Sequence, residues 1–205
     1  MKKFDHIRSE EKLARKDHLA SIAQEIMRKK GIESVTVRNV ASEAGLSPGA
    51  VYLYFKTKEE IFVYLLVKRL SELSGALSIA MEMPDHKEAI RLMASSYREY
   101  YLAFGQYIDV FRYLALGEKT MEAVSPEMAA DVKTALARVL LNLEEFLRRP
   151  EMVRALKGLP PERGVAVLWC AITGLGQVTL SPARGREGGF DFYAVLDDLM
   201  GIFFD

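Results

Sequence analysis

The stretch Thr36-Val37-Arg38-Asn39-Val40-Ala41-Ser42-Glu43-Ala44-Gly45-Leu46-Ser47-Pro48-Gly49-Ala50-Val51-Tyr52-Leu53-Tyr54-Phe55-Lys56 decides the fold. Thr36 suits the cap of a helix whose apolar face is Val37, Val40, Ala41 and Ala44. Ala41 is small enough for two helices to cross closely, and Gly45 tolerates the positive φ of a tight turn. Pro48 fits the first turn of the next helix, where its missing N–H would be unpaired anyway. Val51 and Phe55, four apart, point inward, and Val40, Ala44, Leu46 and Val51 are expected to form a small shared core. This is the spacing of a helix-turn-helix. Its second helix, Pro48 to about Tyr54, is expected to lie in a major groove with its N-terminal end toward base edges. Ser47, Pro48, Gly49 and Ala50 are small and let the backbone approach closely, while Tyr52 and Tyr54 reach phosphates or base methyls. Two short helices joined by a glycine also occur without any nucleic-acid role, so the surrounding charge has to be weighed.

The whole chain, 205 residues, carries 28 Lys+Arg and 28 Asp+Glu. A net charge of zero argues against a nucleic-acid partner. The distribution reverses that inference. Residues 1–58 hold 12 basic and 7 acidic residues, a net of +5, which leaves 16 and 21, a net of −5, for residues 59–205. The zero is a cancellation between two opposite parts.

Working outward, nearly every segment reads as helix. One runs from about Glu10 to Lys30 on a stripe of Leu19, Ile22, Ala23 and Ile26, and Gly31 closes it. Thr57-Lys58-Glu59-Glu60 is a capping box that starts a long helix ending before Pro84. Ile90, Met93, Ala94, Tyr97, Tyr101 and Phe104 form the next stripe, followed by a shorter helix with Ile108, Phe111 and Leu114. Ser125-Pro126-Glu127 starts another, and Pro150 and Pro160-Pro161 mark breaks. The segment after Pro161 is apolar nearly all round, and the last helix carries Tyr193, Leu196, Leu199, Met200 and Phe203 on one face. The expected fold class is all-α, about nine helices, with a three-helix N-terminal part and a larger C-terminal bundle.

Several chemistries are disfavoured. Cys170 is the single cysteine, which excludes an intrachain disulfide framework and a cysteine-based zinc site and fits a reducing compartment. His6, His18 and His86 show no metal-ligand spacing, and no Glu-x-x-His occurs. No nucleophile–base pairing or Gly-rich phosphate loop points to a catalytic residue, and no cofactor or metal is implied. The N-terminus lacks the apolar run of a signal peptide. The most apolar stretch, Val165 to Leu180, is interrupted by Thr173, Gly174 and Gln177 and is shorter than the roughly 18 residues of a membrane span. A soluble, cytoplasmic protein without a membrane partner is the expectation.

Residues 18–62 resemble the DNA-binding domain of TetR-type transcriptional regulators. The resemblance rests on Gly31, on Thr36 through Gly49, and on Val51-Tyr52-Leu53-Tyr54-Phe55-Lys56-Thr57-Lys58-Glu59. It covers about a quarter of the chain. It implies a helix-turn-helix domain over 1–56 and a ligand-binding and dimerisation domain over 57–205. Thr36 and Arg38 inherit contacts to the DNA backbone or bases. Ser47, Pro48, Gly49, Ala50, Tyr52 and Tyr54 inherit the recognition contacts, and Lys58, with Lys56, inherits contacts to phosphate. Val37 departs from the family pattern, where many relatives have a polar residue, and leaves Arg38 as the only long polar side chain at that helix start. Tyr54 as partly core and Arg38 as a solvated charge are the alternatives.

The resemblance further implies a homodimer built from the last two helices, which binds a palindromic double-stranded operator as a repressor and is released by an effector. Apolar residues on more than one face of the helix after Pro161 agree with a partner there. Val167, Gly174, Tyr193, Leu196, Met200 and Phe203 are the expected interface, the alternative being an intramolecular bundle core. The aromatic residues near 97–113 together with Trp169 form either a lined cavity or solid core. As a cavity, it would use Tyr97, Tyr101, Phe104, Phe111 and Trp169, with Thr173 and Gln177 as polar contacts, for a small apolar or amphipathic effector of aromatic or acyl type. The competing reading is an all-α small-molecule binding protein or enzyme whose N-terminal helices are structural.

Overall fold

The computed structural model describes the backbone of residues 2–104, 124–180 and 190–204, and side chains for 10–102, 124–180 and 190–202. The expected helix through Ile108, Phe111 and Leu114 lies outside the described residues, as do Phe111 itself and the Phe104 and Phe203 side chains. Among the described residues there is no strand, and the α-helices number nine. They are α1 (Lys2–Lys30), α2 (Val37–Glu43), α3 (Pro48–Tyr52), α4 (Lys58–Glu82), α5 (His86–Phe104), α6 (Pro126–Leu147), α7 (Pro150–Ala155), α8 (Pro161–Leu180) and α9 (Phe192–Phe204). The chain divides into two compact units. One takes the described residues up to Val67 and those from 124 to Val132, and the other takes the rest.

In the first unit, α1 begins eight residues before the expected Glu10. Its early turns are rich in Lys, Glu and Arg, which favour helix without creating an apolar stripe, so periodicity could not mark the start. The stripe itself packs as expected: Leu19, Ala23 and Ile26 are buried together with Val35, Val40, Ala41, Val51, Phe55 and Ile61. Gly31 and Gly45 take positive φ, 82° and 67°, where a side chain would be strained. Polar contacts then tie α1 to α4. The Tyr64 hydroxyl donates to Asp17 at 3.2 Å, and Lys16 lies 5.5 Å from the Phe55 and Tyr64 ring centres. Burial, then the Asp17 charge and its hydrogen bond, push the Tyr64 phenol up to about 12.

The second unit is a helical bundle with two apolar clusters. Phe146, Leu147 and Met152 centre one, and Ala94, Leu175, Phe192, Leu196 and Met200 the other. Its helix starts are capped by side chains. Asp85 accepts from the Lys87 and Glu88 N–H groups, which hold its carboxyl below the usual range, and Asp191 accepts from Ala194 N–H at 2.9 Å. Pro150 breaks α6 as expected and also opens a further short helix, α7. The Arg149 guanidinium before it donates to the Met83 carbonyl at 2.9 Å, just past the end of α4, and to the Ala80 carbonyl, which also accepts from the Met83 N–H. Asn142 of α6 shares its amide N–H groups among the Ser74 carbonyl, the Ser74 hydroxyl and the Ser78 hydroxyl of α4, at 3.1–3.2 Å.

α8 corrects one expectation. It starts four residues before Val165, and its 20 residues are long and apolar enough, by length and composition, to cross a membrane. Only 22% of its most apolar window is buried within the chain. Its outward face explains this: Ala166, Val167, Cys170 and Val178 are exposed there, so small and apolar residues stand where a surface helix usually carries charge.

Candidate nucleic-acid interface and ligand cavity

The reader segment is built by its caps. The Thr36 hydroxyl accepts from the Asn39 N–H at 3.1 Å, and the Asn39 side chain donates to the Ser34 carbonyl at 2.7 Å, fixing the entry to α2. At the turn, Leu46 N–H donates to the Ala41 carbonyl at 2.9 Å across Gly45. The Ser47 hydroxyl accepts from Ala50 N–H at 3.3 Å, with Pro48 in the first turn of α3. α3 ends at Tyr52, two residues short of the expected Tyr54, although Tyr54 and Phe55 N–H groups still bond back to the Val51 carbonyl. The capping box forms with a shift. Glu60 N–H donates to Thr57 at 3.1 Å, but the Glu60 carboxylate reaches Lys56 N–H, at 2.7 Å.

This scaffold leaves one surface bare. Arg38, Ser47, Pro48, Gly49, Tyr52 and Lys56 are exposed, and Thr36, Ala50, Tyr54 and Lys58 are partly so. Val37 is buried, which gives the departure from the family pattern a structural use: it completes the core and leaves Arg38 facing solvent. Tyr54 is half-buried, and its hydroxyl accepts from Arg15 of α1 at 3.4 Å. Lys58 lies 4.0 Å from Glu33. Leu46 is not in the small core but 45% exposed, because it follows Gly45 at the tip of the turn. Leu53 is 75% exposed between the two tyrosines and belongs to the same surface. Its apolar character concealed that, since sequence patterning assigns an isolated leucine to the interior.

In the second unit, a cavity of about 120 Å³ lies among α4, α5, α6, α8 and α9. Of the expected lining, Tyr97 and Trp169 are there, their rings edge-to-face at 5.9 Å. Thr173 does not line it; its hydroxyl accepts from the Tyr97 hydroxyl at 3.2 Å. Tyr101 is buried elsewhere, against Gly176 of α8, and Gln177 points to solvent. The turn of α8 that brings Trp169 and Ile172 inward carries Gln177 outward. The rest of the wall is aliphatic: Leu73 and Leu77 of α4, Val139 and Leu143 of α6, Leu168 and Ile172 of α8. Sequence reasoning missed these residues because a Leu or Val on a helical stripe reads the same whether it meets a neighbour or a void.

The expected dimer surface separates into two groups. Val167 and Tyr193 are exposed in the single chain, Gly174 is half-exposed, and Ile202 of α9 is 74% exposed beside them in sequence pattern. Leu196 and Met200 instead face inward, buried in the bundle core and lining the cavity. They lie on the opposite side of α9 from Ala194 and Asp198, whereas Tyr193, three residues before Leu196 and seven before Met200, shares their stripe and is exposed in the first turn of the helix.

Residues 21–65 match the family model described as bacterial regulatory proteins, tetR family. The chain is 31% identical over 109 residues to the HTH-type transcriptional regulator PksA of Bacillus subtilis, 45% of this chain and 51% of that protein. It is 34% identical over 62 residues to the HTH-type transcriptional repressor KstR2 of Mycolicibacterium smegmatis, 30% of each. The aligned stretches therefore span between about a third and a half of these curated relatives. In fold it is similar to the transcriptional regulator FadR from Bacillus subtilis, solved in complex with stearoyl-CoA, at a TM-score of 0.61 and 18% identity over 92% of this chain and 97% of that one. The helix-turn-helix geometry and the family match agree on residues 21–65: this segment is a helix-turn-helix of the tetR type at the N-terminal end of the chain.

Proposed function

We propose that this chain is a ligand-responsive transcriptional repressor, a cytoplasmic homodimer on a palindromic operator, released when a small apolar or acyl effector fills the cavity. Residues 1–56 read DNA, and residues 57–205 bind ligand and pair the subunits. Thr36, Arg38, Ser47, Pro48, Gly49, Ala50, Tyr52 and Tyr54 contact the duplex, with Leu53 added to that surface, and Lys56 and Lys58 hold phosphates. A single short reader helix meets too few base pairs for useful specificity, so two-fold pairing through the outward faces of α8 and α9 doubles the site. No catalytic role is assigned to any residue.

The observation that carries this reading is the cavity, walled by aliphatic and aromatic side chains, Tyr97 and Trp169 among them. Walls of this apolar character favour an apolar occupant. Met93 and Met200 line the wall, and their flexible side chains give room for chains longer than the cavity as it stands. The repressor KstR2 and the FadR–stearoyl-CoA complex support, by likeness, repression and an acyl effector. Leu73 and Leu77 of the cavity wall and Lys58 are all on α4, so an effector that displaces α4 also moves a DNA contact.

The test is a binding titration on the chain's own upstream DNA, with and without fatty acyl-CoA. The expected result is preference for a palindromic segment over random duplex, weakened by the acyl compound. Ala94→Leu, which fills the cavity, is expected to keep operator binding and abolish the response. Equal affinity for all duplexes would sink the proposal.

A further inference from the structure

The face of α1 that packs into the head contains Leu19, Ala23 and Ile26, spaced four and three apart. Carried toward the N-terminus by the same spacing, that face next presents Arg15 and then Lys12. An apolar stripe thus becomes basic where the helix leaves its own core. Lys12 and Arg15, with Glu11, line a notch closed on its other side by Leu53 and Tyr54 of the reader segment. The Arg15 guanidinium donates to the Tyr54 hydroxyl oxygen at 3.4 Å, which turns the hydroxyl hydrogen away from Arg15. Two cations and the phenol hydroxyl at the opening are donors that suit one phosphate group, and the Glu11 carboxylate beside them, an acceptor, leaves the notch a net charge of one positive.

We propose that Lys12, Arg15 and Tyr54 form a phosphate clamp on the operator backbone, placing part of the DNA contact on α1, outside the helix-turn-helix. The occupant is a backbone phosphate of the duplex held by the same head. Two observations select it: the notch is continuous with the reader surface through Leu53 and Tyr54, and its charge is complementary. The clamp fixes position along the duplex without reading bases. It rests on the DNA-binding role of the head, and its test separates the two.

The full chain is titrated with its upstream palindrome and with a random duplex of equal length, between 50 and 200 mM salt. Lys12→Gln is expected to lower the slope of log affinity against log salt by about one for each head bound, and Lys12→Gln with Arg15→Gln by about two. Over that range the doubly substituted chain then loses about tenfold less affinity per head than the parent. Both duplexes change alike, so the operator-to-random ratio is kept. Arg15→Lys, which retains the charge, restores most of the slope. An unchanged slope in the doubly substituted chain overturns the clamp. So does a fall in the operator-to-random ratio at constant slope, which would make Arg15 a support for Tyr54 only. A parent chain that prefers no sequence counts against the repressor reading, while its slope on random duplex still decides the clamp.

Discussion

The Tyr97 hydroxyl donates to the Thr173 hydroxyl oxygen at 3.2 Å, joining α5 to α8, while the Tyr97 ring lines the aliphatic and aromatic cavity. Tyr97 is 6% exposed, so its polar atom depends on protein partners. Removing one hydroxyl of such a pair is more costly than removing both. Tyr97→Phe and Thr173→Val are each expected to lower unfolding free energy by about 1 kcal/mol, and the doubly substituted chain by less than the sum. Urea unfolding of the four chains measures the coupling. Additive stability effects would refute the coupling.

Gly176 and Gly174 of α8 differ in what faces them. A Cβ on Gly176 would meet the Tyr101 ring at 2.9 Å, whereas one on Gly174 would meet nothing within 4 Å. An aromatic ring on a buried side chain yields little, so Gly176→Ala is expected to destabilise by about 1–3 kcal/mol. Gly174→Ala is expected to be neutral or slightly stabilising in the single chain through better helix propensity. Thermal melting of both variants checks the contrast. Comparable losses at both positions would mean that α8 packs differently.

These two glycines also mark how far sequence reasoning reached. In the sequence Gly174 reads as a subunit-interface residue, and within the single chain it is Gly176 that takes a close approach, against α5. Local signals were legible: Thr36, Thr57 and Ser125 all accept the cap hydrogen bonds that their spacing announced, while Ser47, read only as a small residue, also caps its helix. Helix existence was legible wherever an apolar stripe required it, as at Leu19, Ala23 and Ile26. The start of α1 was not, because propensity rather than burial extends it to Lys2. The cavity was half-legible. Tyr97 and Trp169 stood out as aromatics, but which side of α8 faces inward is set by packing, and that placed Gln177 in solvent and Leu143 in the wall.

Glu25 accepts from Arg28 at 2.7 and 2.9 Å and pairs with Lys29 at 2.9 Å in the last turns of α1. The Arg28 and then the Lys29 hydrogen bonds hold its carboxyl down to about 2, against an ordinary glutamate value near 4.5. A depressed value in the folded state means that its stabilising effect is complete above about pH 4.5 and is lost as pH falls toward 2. The group is exposed, so salt weakens the effect. Carboxyl NMR titration is expected to place the Glu25 midpoint near 2 at low salt, and Glu25→Gln to flatten the stability loss in that window. A midpoint in the ordinary glutamate range would show that the Arg28 and Lys29 contacts do not persist in solution.

Val167 is 38% exposed on α8 and Leu196 is 5% exposed on α9, although both were expected at the same subunit interface. If the outward faces of α8 and α9 pair two chains, Val167→Arg sets two like charges near the two-fold axis, where water is excluded. Sedimentation is expected to show that this variant becomes monomeric at micromolar concentration with its melting profile otherwise native. Its affinity for a palindromic duplex falls steeply, while its weak binding to a single half-site is kept. Leu196→Ala removes buried core atoms beside the cavity and is expected to cost about 2–5 kcal/mol of stability without changing the association state of the folded fraction. The pair of variants therefore separates interface from core on one helix pair. A Val167→Arg chain that remains dimeric places the subunit contact elsewhere, and a Leu196→Ala chain that dissociates while still folded returns Leu196 to the interface.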